Sequence, residues 1–170
     1  MEEKTAKPGK TVKQAILNEI GHIPEDGRVY FFTDGTWSLF ELIDFALDYI
    51  PPSHVTLSSF SLSEDSIRHL LHLKETGKIL SLTGLFDPSL RKTKTPLLYF
   101  ADEIFDRIAL SPNHSKIILF ENTTKPLTIM ASANLGRNRR IEAGLVDTDT
   151  EVFDFFFDKL SEAFSMAQPI

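Results

Sequence analysis

Short apolar runs alternate with amphipathic stretches along most of this chain, which predicts alternating strands and helices. The runs with strand character lie at residues 28–32, 54–61, 78–86, 115–121, 127–133 and 141–147. Apolar residues with helical spacing lie at residues 38–50, 63–77, 97–110 and 150–167. Strand and helix alternate as far as residue 121, whereas the last three strands follow one another over short links.

Local signals mark where several of these elements begin and end. Ser38 and Glu41 have the spacing of a capping box, so a helix should begin after Ser38. Pro51 follows that helix and should end it. The next helix has Glu64 in its first turn and Gly77 at its end, which suits the helix dipole and a left-handed terminus. Residues 87–96 form a polar loop in this scheme.

The alternating part of the pattern is typical of βαβ units, which build a parallel sheet with helices on both faces. The later strands can pair antiparallel because their links are short. We therefore expect an α/β fold, a three-layer α-β-α sandwich with a mixed, largely parallel sheet. Residues 1–13 are rich in lysine and predict a flexible tail, and residues 14–170 predict a single domain.

Composition narrows the class of protein without naming a function. The chain has 170 residues, of which 42% are hydrophobic and 25% charged, and its net charge is −6. It contains no cysteine, which excludes a disulfide framework and a thiolate metal site. The N-terminus is too charged for a signal peptide, and no apolar run approaches the ~20 residues of a membrane span. We expect a cytoplasmic protein that has no membrane partner.

Polar side chains at the ends of two neighbouring strands are the candidate chemistry. His114 and Lys116 open the run "HSKIILFE", and alternate residues of a strand share a face. Ser132 and Asn134 end the next apolar run in the same way. If the two strands are neighbours, a histidine, a lysine, a hydroxyl and an amide converge. That set of groups suits a phosphate, which lysine can bind as a point charge and histidine can attack or protonate.

The order "HSKIILFE", "ASAN" and "RNRRIEAG" resembles the phospholipase D superfamily. The signature of that family is His-x-Lys, four residues, Asp, then Gly-Ser-x-Asn and a downstream Glu. The stretch "VTLSSFSLSEDSIRHLLHLKETG" also looks like the segment that precedes the motif in those proteins. The resemblance covers roughly residues 28–165, and it implies the family's α/β fold and a phosphodiesterase activity.

The resemblance also implies a role for each residue of the motif. His114 would be the nucleophile that forms a phosphohistidine, and Lys116 and Asn134 would hold the phosphoryl oxygens. Ser132 would support the phosphate or the loop, and Glu142 would orient a histidine. Members of the family need neither a metal nor another cofactor, so we expect none here.

Two positions depart from the family's pattern. Glu121 stands where the family has Asp, which keeps the charge on a longer side chain, and Ala131 stands where it has Gly, which gives up a special backbone conformation. A second His-x-Lys, His72 and Lys74, falls inside a predicted helix, where residues two apart do not face each other. We therefore reject it as a motif.

The remaining candidates would bind substrate beside the motif. Arg137, Arg139 and Arg140 follow Asn134 and could track a phosphate backbone, and Ser59 and Ser61 end a predicted parallel strand, where such sheets place ligands. We expect a metal-independent nuclease that acts as a homodimer, because one chain supplies one credible histidine. The alternatives are a catalytically impaired module that binds nucleic acid and a pure interaction domain with a relic pocket.

Overall fold

The computed structural model describes residues 11–137 and 139–170. The predicted tail lies largely outside these residues, but helix α1 already begins at Val12, before the expected start of the domain. The helices are α1 Val12–Ile20, α2 Leu39–Leu47, α3 Glu64–Glu75, α4 Leu90–Thr93, α5 Thr95–Asp102 and α6 Thr150–Met166. The strands are β1 Arg28–Thr33, β2 Ser53–Ser59, β3 Ile79–Phe86, β4 Arg107–Leu110, β5 Ile117–Glu121, β6 Leu127–Ala131, β7 Glu142–Asp147 and β8 Gln168–Pro169.

All eight described strands form one mixed sheet in the order β1-β7-β6-β5-β2-β3-β4-β8. Only the pairs β2–β3 and β3–β4 are parallel, and the other five pairs are antiparallel. The expectation of a largely parallel sheet was therefore wrong. The reason is the length of the connections: helices join β2, β3 and β4, whereas short links join β5, β6 and β7 and force them to reverse direction.

Alternate residues of the central strands face two different groups of helices. Leu57, Phe86 and Ile118 belong to the main core, together with the apolar faces of α2 and α3. Leu85 and Leu119 point to the other face and pack against Phe153, Leu160 and Phe164 of α6. Apolar side chains on both faces explain why these strands are nearly continuous in hydrophobic residues.

The capping signals in the sequence correspond to real helix ends. The backbone N–H of Ser38 donates to Glu41 Oε2 at 2.8 Å, which completes the predicted capping box of α2. Ser63 caps α3 through the N–H of Ser66 at 3.2 Å, and Gly77 follows α3 with a positive φ of 75°. These predictions of helix starts and ends are confirmed.

Helix α1, which the pattern did not predict, lies along the outer edge of the sheet. Thr11 caps its first turn by accepting the N–H of Gln14 at 3.2 Å. Near the other end of α1, Glu19 Oε1 accepts the backbone N–H of Phe32 at 3.0 Å. Because β1 is an edge strand, this carboxylate occupies a backbone donor that has no neighbouring strand to bond.

The stretch 97–110 is not one helix, as its pattern predicted. Helix α5 ends at Asp102, and β4 begins at Arg107. Asp106 separates the two elements, since its carboxylate accepts the backbone N–H of Leu82 at 2.7 Å and the ammonium of Lys74 at 2.9 Å. The predicted polar loop 87–96 also contains α4 and the first turn of α5. Across residues 11–137 and 139–170, no helix has both the length and the hydrophobicity needed to cross a membrane.

Candidate active site

Four chain segments meet at one edge of the sheet, where the parallel strands have their carboxyl ends. β2 ends there next to the start of β5, since Ser58 pairs with Ile117. The end of β6 joins them, because the N–H of Ala131 donates to the carbonyl of Lys116 at 3.0 Å. The start of β7 completes the edge, with Glu142 paired to Thr33. This convergence brings the predicted motif residues from distant parts of the sequence to one place.

His114 and Lys116 are in direct contact, although both precede β5 rather than sharing a face of it as expected. Lys116 Nζ lies 3.0 Å from His114 Nδ1 and donates to the His114 carbonyl at 2.6 Å. His114 is exposed, whereas only 7% of the Lys116 surface is accessible. Within residues 11–137 and 139–170, no group hydrogen-bonds to His114 Nε2. The ring therefore offers one nitrogen to solvent while the other contacts a buried lysine.

Burial changes the acid–base behaviour of Lys116. Loss of surrounding water lowers the pKa of this lysine, and the carboxylate of Glu142 lies close enough to oppose that shift. Glu142 also accepts a short hydrogen bond from the hydroxyl of Ser132. That hydroxyl in turn accepts the N–H of Ala143 at 3.0 Å. Ser132, Glu142 and Lys116 thus form one polar group at the sheet edge.

Asn113 fixes the segment that carries His114, a function that sequence patterns did not indicate. Its Nδ2 donates to Ser58 Oγ at 2.8 Å and to the Leu85 carbonyl at 3.0 Å. Its Oδ1 accepts the N–H of Ser115 at 2.9 Å and the Ser115 hydroxyl at 2.7 Å. The hydroxyls of Ser58 and Ser115 are also 2.5 Å apart. The residues on both sides of His114 are therefore bound to β2 and β3.

Two further residues border His114. The ring of Phe60 lies 5.1 Å from the imidazole, centroid to centroid, at an angle of 51°. Asp87 accepts the backbone N–H of Asn113 at 3.2 Å. Hydrogen bonds from Ser89 lower the pKa of Asp87, and the nearby His114 adds to this effect. Their position after β2 and β3 is the one sequence signal that could have identified them.

Asn134, Ser59 and Ser61 lie near the site, and the hydroxyls of both serines already have partners. Ser59 is fully buried, and its hydroxyl donates to the Ser61 carbonyl at 2.7 Å and accepts the N–H of Leu135 at 3.2 Å. The same hydroxyl lies 3.4 Å from Asn134 Oδ1. Ser61 Oγ accepts the ammonium of Lys94 at 3.2 Å. These contacts join the loop after β2 to the loop after β6.

The three arginines that follow β6 differ in their surroundings. Arg137 bonds to Asp65 at 3.0 Å and Glu41 at 3.5 Å, and its guanidinium lies 5.6 Å from the Phe40 ring centroid. It therefore fastens its loop to the first turns of α2 and α3. Arg139 and Arg140 are exposed, and neither has an ion pair within the part of the chain that the structure describes.

Glu121 is not brought to the site. It ends β5 opposite His54, whereas Lys116 precedes the start of that strand, so roughly 17 Å of extended chain separates them. Ala131 lies in β6. Among the described residues, only glycines have a positive φ, so Ala131 has an ordinary backbone conformation. The alanine is accommodated without backbone strain at this position.

The rejected second His-x-Lys lies in the last turns of α3, as expected. Lys74 pairs there with Asp106 at 2.9 Å. On the same helix, His69 Nε2 lies 3.6 Å from Asp44 Oδ2, which is too far for a hydrogen bond but close enough to favour the carboxylate. Residues 11–137 and 139–170 contain no group of three or more histidines and carboxylates arranged to hold a metal ion.

No protein-family model matches the sequence, and no curated protein matches it either. Solved structures do match its fold. Nuc from Salmonella typhimurium, a phospholipase D family member, superposes with a TM-score of 0.65 at 14% identity, over 84% of this chain and 97% of that one. NucT from Helicobacter pylori gives 0.66 at 14% identity, over 84% and 98%.

A third match is TrmBL2, an archaeal chromatin protein with a novel mode of DNA binding. It has a TM-score of 0.51 at 14% identity, over 83% of this chain and 54% of that one. Sequence identities this low speak for shared architecture alone. The superpositions cover 97% of Nuc and 98% of NucT, so the shared architecture extends over nearly the whole of both chains. The chain therefore has the fold of the phospholipase D superfamily, as its motif order led us to expect.

Proposed function

We propose that the protein is a metal-independent nuclease, a three-layer α-β-α domain that cleaves phosphodiesters through a phosphohistidine on His114. The observation that carries this proposal is the contact between Nδ1 of the exposed His114 and the buried Lys116 side chain. Attack on a phosphate anion requires an imidazole as nucleophile and a cation to hold the phosphate, and this contact places both groups together. The Ser132–Glu142 pair lies at the same edge.

In the proposed first step, His114 Nε2 forms a bond to phosphorus and the bond from phosphorus to the leaving oxygen breaks. The leaving oxygen takes a proton from a general acid, and the developing negative charge lies on the phosphoryl oxygens beside Lys116. In the second step, water attacks phosphorus, loses a proton to the same acid–base group and releases the histidine. Lys116 stabilises the charge in both steps because it is held in a buried position.

Substrate binding must change the contact between Lys116 and His114. A lysine ammonium that donates to Nδ1 leaves the single proton of a neutral imidazole on Nε2, and that nitrogen then has no lone pair for attack. A phosphate would compete for the ammonium, since it is a stronger acceptor than imidazole. Once Lys116 turns to the phosphate, the ring proton can move to Nδ1 and Nε2 becomes nucleophilic.

Nucleic acid is the substrate class that the surroundings of the site favour. The chain carries a net charge of −6, yet Arg139 and Arg140 are exposed on the loop beside the motif. A local cationic patch on an acidic protein suits a polyanion that is bound along its backbone. The match to a DNA-binding chromatin protein agrees with this choice.

The test is cleavage of labelled single- and double-stranded DNA and RNA in the presence of a chelator. Wild-type protein should cleave at least one of them, and His114→Ala and Lys116→Ala should be inactive. His72→Ala, the matched control in the rejected motif, should keep full activity. Trapping should yield an acid-labile, base-stable phosphate on His114. Activity that disappears with chelator and returns with Mg²⁺ would refute the mechanism.

We further propose that two chains form one composite site, because the leaving oxygen needs a second histidine as general acid. An exposed apolar patch beside the site supports this proposal. Tyr30 and Phe32 are 67% and 62% exposed on one face of β1, and Ile141, which precedes Glu142, is 65% exposed. Apolar side chains this exposed at a sheet edge are typical of a protein interface. We propose that a second copy packs there and supplies the second histidine.

Mixed dimers test the composite site. Wild-type and His114→Ala chains are refolded together, and the heterodimer is isolated by a tag on one chain. It should be nearly inactive, whereas independent sites would keep half of the activity. Phe32→Asp should yield a monomer, and Tyr99→Asp, at a similarly exposed aromatic on α5, should not. A wild-type monomer at working concentration would end this part of the proposal.

The alternative function is nucleic-acid binding without catalysis. It is favoured by one observation, namely that Lys116 Nζ lies 3.0 Å from His114 Nδ1. If the lysine stays there when a phosphate binds, the site holds the anion and does not cleave it. Tight binding of an oligonucleotide, with no cleavage and no loss of affinity in His114→Ala, would decide for this alternative.

A further inference from the structure

A groove between α3 and α5 opens at the same edge of the sheet as His114. It has a volume of about 500 Å³ and is lined by Glu64, Arg68, Lys94, Pro96, Leu97 and Phe100. Helix α3 begins just after the carboxyl end of β2, and α5 begins after the carboxyl end of β3. The N-terminal halves of both helices therefore lie at the edge that carries the candidate active site. We call this feature the α3/α5 groove.

A chain of contacts joins the groove to the site. Lys94 Nζ donates to the Leu62 carbonyl at 2.8 Å and to Ser61 Oγ at 3.2 Å. Ser61 directly follows Phe60, whose ring lies 5.1 Å from the His114 imidazole. The groove and the histidine are therefore on either side of the short loop that follows β2. A ligand longer than one phosphodiester can reach both.

The groove combines an apolar floor with one uncompensated cation among its lining residues. Pro96, Leu97 and the half-buried Phe100 supply the floor, and the Arg68 guanidinium lies 5.1 Å from the Phe100 ring centroid. Arg68 is paired with Glu64 at 2.7 Å, so those two charges cancel. Lys94 donates only to uncharged oxygens and pairs with no carboxylate among residues 11–137 and 139–170. The groove thus keeps a positive charge beside an aromatic surface.

We infer that the α3/α5 groove binds a nucleotide that flanks the cleaved phosphate, with its base on the Phe100 floor and its phosphate at Lys94. This inference rests on the proposed function, and it adds a binding site and a preference for unpaired bases. Aromatic surfaces beside cations are how proteins hold single-stranded nucleic acid. A base in a duplex is stacked between its neighbours, so it must be unpaired to reach this floor.

The charges around the groove favour the same occupant. Arg91 and Lys92 lie on the neighbouring α4 and are exposed, and neither pairs with a carboxylate in the described part of the chain. Three cations within four residues stand out on a chain with a net charge of −6. A strand that leaves His114 towards α5 would meet Lys92 and Lys94, whereas the Arg91 guanidinium bonds to the Gln168 and Pro169 oxygens of β8.

Two substitutions test the aromatic ring of the floor and the positive charge of Lys94 separately. Phe100→Leu keeps an apolar side chain and removes the ring, and Tyr99→Leu removes the neighbouring exposed ring, which does not line the groove. Lys94→Gln keeps donors for Ser61 and the Leu62 carbonyl and removes the charge. Lys159→Gln, on α6, is its matched control. Circular dichroism and thermal melting establish that each variant is folded before its activity is compared.

The variants are assayed on bis(4-nitrophenyl) phosphate, which has no flanking nucleotide, and on a single-stranded oligonucleotide. Phe100→Leu should lower kcat/KM on the oligonucleotide about 5- to 50-fold and leave the small diester unchanged, because loss of one stacked base has an effect of that order. Lys94→Gln should flatten the salt dependence by the slope of one phosphate contact, about 0.7. The two control variants should behave as wild type on both substrates.

The possible outcomes distinguish a failure of the proposed nucleotide site in the groove from a failure of the proposed nuclease function. If the groove variants match wild type on both substrates, the groove does not bind a flanking nucleotide, and the proposed function is unaffected. A wild-type protein that cleaves neither substrate would overturn the proposed function. In that case the groove is tested by fluorescence anisotropy with the same oligonucleotide, where Phe100→Leu should still weaken binding and Tyr99→Leu should not. Equal affinity of these two variants would then overturn the groove as well.

Discussion

Replacing Asn113 by alanine should impair catalysis more than it impairs folding. The side chain makes four hydrogen bonds of 2.7–3.0 Å, to Ser58, Leu85 and twice to Ser115, and a fifth, longer one of 3.4 Å to the Ser59 carbonyl. These bonds hold the segment around His114 against β2 and β3. The Ser58–Ser115 hydrogen bond at 2.5 Å does not involve Asn113 and should survive. The substitution therefore loosens the histidine without removing any group that touches phosphate.

The expected loss of stability follows from the number of bonds. At a net value of about 1 kcal/mol for each bond, reduced by the surviving pair of serines, Asn113→Ala should lower the free energy of unfolding by about 2–4 kcal/mol. The expected loss of rate is larger in relative terms. A displacement of about 1 Å in a reacting group can lower the rate about 10²-fold, so kcat should fall by about that factor while KM changes little.

Asn122 provides a matched control at the other end of β5. It also makes four side-chain hydrogen bonds, of 2.9–3.1 Å, to Thr124 and Lys125. Asn122→Ala therefore removes the same kind of turn, far from His114, and should keep the wild-type kcat. Both variants are assayed at a temperature where melting curves show them fully folded, with single-turnover cleavage and trapping of the phosphohistidine as the two measurements.

Equal rates for the two fully folded variants would refute the positioning role of Asn113. A raised KM with unchanged kcat would refute it as well, because that result would mean that Asn113 affects substrate binding rather than the placement of the nucleophile. Restoration of stability by a distant second substitution, without restoration of kcat, would instead support the role.

Two predictions concern pH. Burial lowers the pKa of Lys116 and Glu142 opposes that shift, so Glu142→Gln should move the alkaline fall of kcat/KM to lower pH. Glu121→Gln, at the far end of β5, should not move it. An unmoved profile in both variants would contradict a role for Lys116 in the alkaline fall. The neighbouring His69, and after it Lys78 and Lys13, lower the pKa of Asp44. The contribution of the Asp44 carboxylate to stability is therefore complete above about pH 5 and is lost as pH falls below about 4. Asp44→Asn should therefore lower the free energy of unfolding at pH 7 by about 1–3 kcal/mol and flatten its decline in acid, as measured by urea unfolding between pH 2 and pH 7.

Much of the fold was predictable because local signals agreed with the hydrophobic period. The start of α2 is an example, since Ser38 and Glu41 determine it without help from the rest of the chain. β4 was missed because "RIAL" follows α5 with no glycine or proline between them. What ends that helix is a long-range contact, the Asp106 carboxylate bound to the N–H of Leu82. Contacts of that kind leave no local trace in a sequence.

The candidate site also contains residues that the sequence could predict and residues that it could not. The sequence placed His114 and Lys116 together, and their side chains lie 3.0 Å apart, although both residues precede β5 and share no strand face. The support from Asn113 could not be predicted, because its partners come from β2 and β3, more than 25 residues away in sequence. Arg137 was expected on the substrate, but its pairing with Asp65 depends on how α3 lies beside the loop after β6. Motif residues are determined locally, and the residues that hold them are determined by packing.

The hydrogen bond from Phe32 to Glu19 has a consequence for how the protein can be shortened. A fragment that starts at β1 would retain the sheet, most of the core and every residue of the motif. It would also expose a backbone donor on an edge strand that carries two large aromatic side chains, Tyr30 and Phe32. Exposed edge strands of that kind can pair with the same strand in neighbouring molecules and form fibrils. We therefore expect a fragment without α1 to associate through β1, and a fragment that stays dispersed in water to include α1.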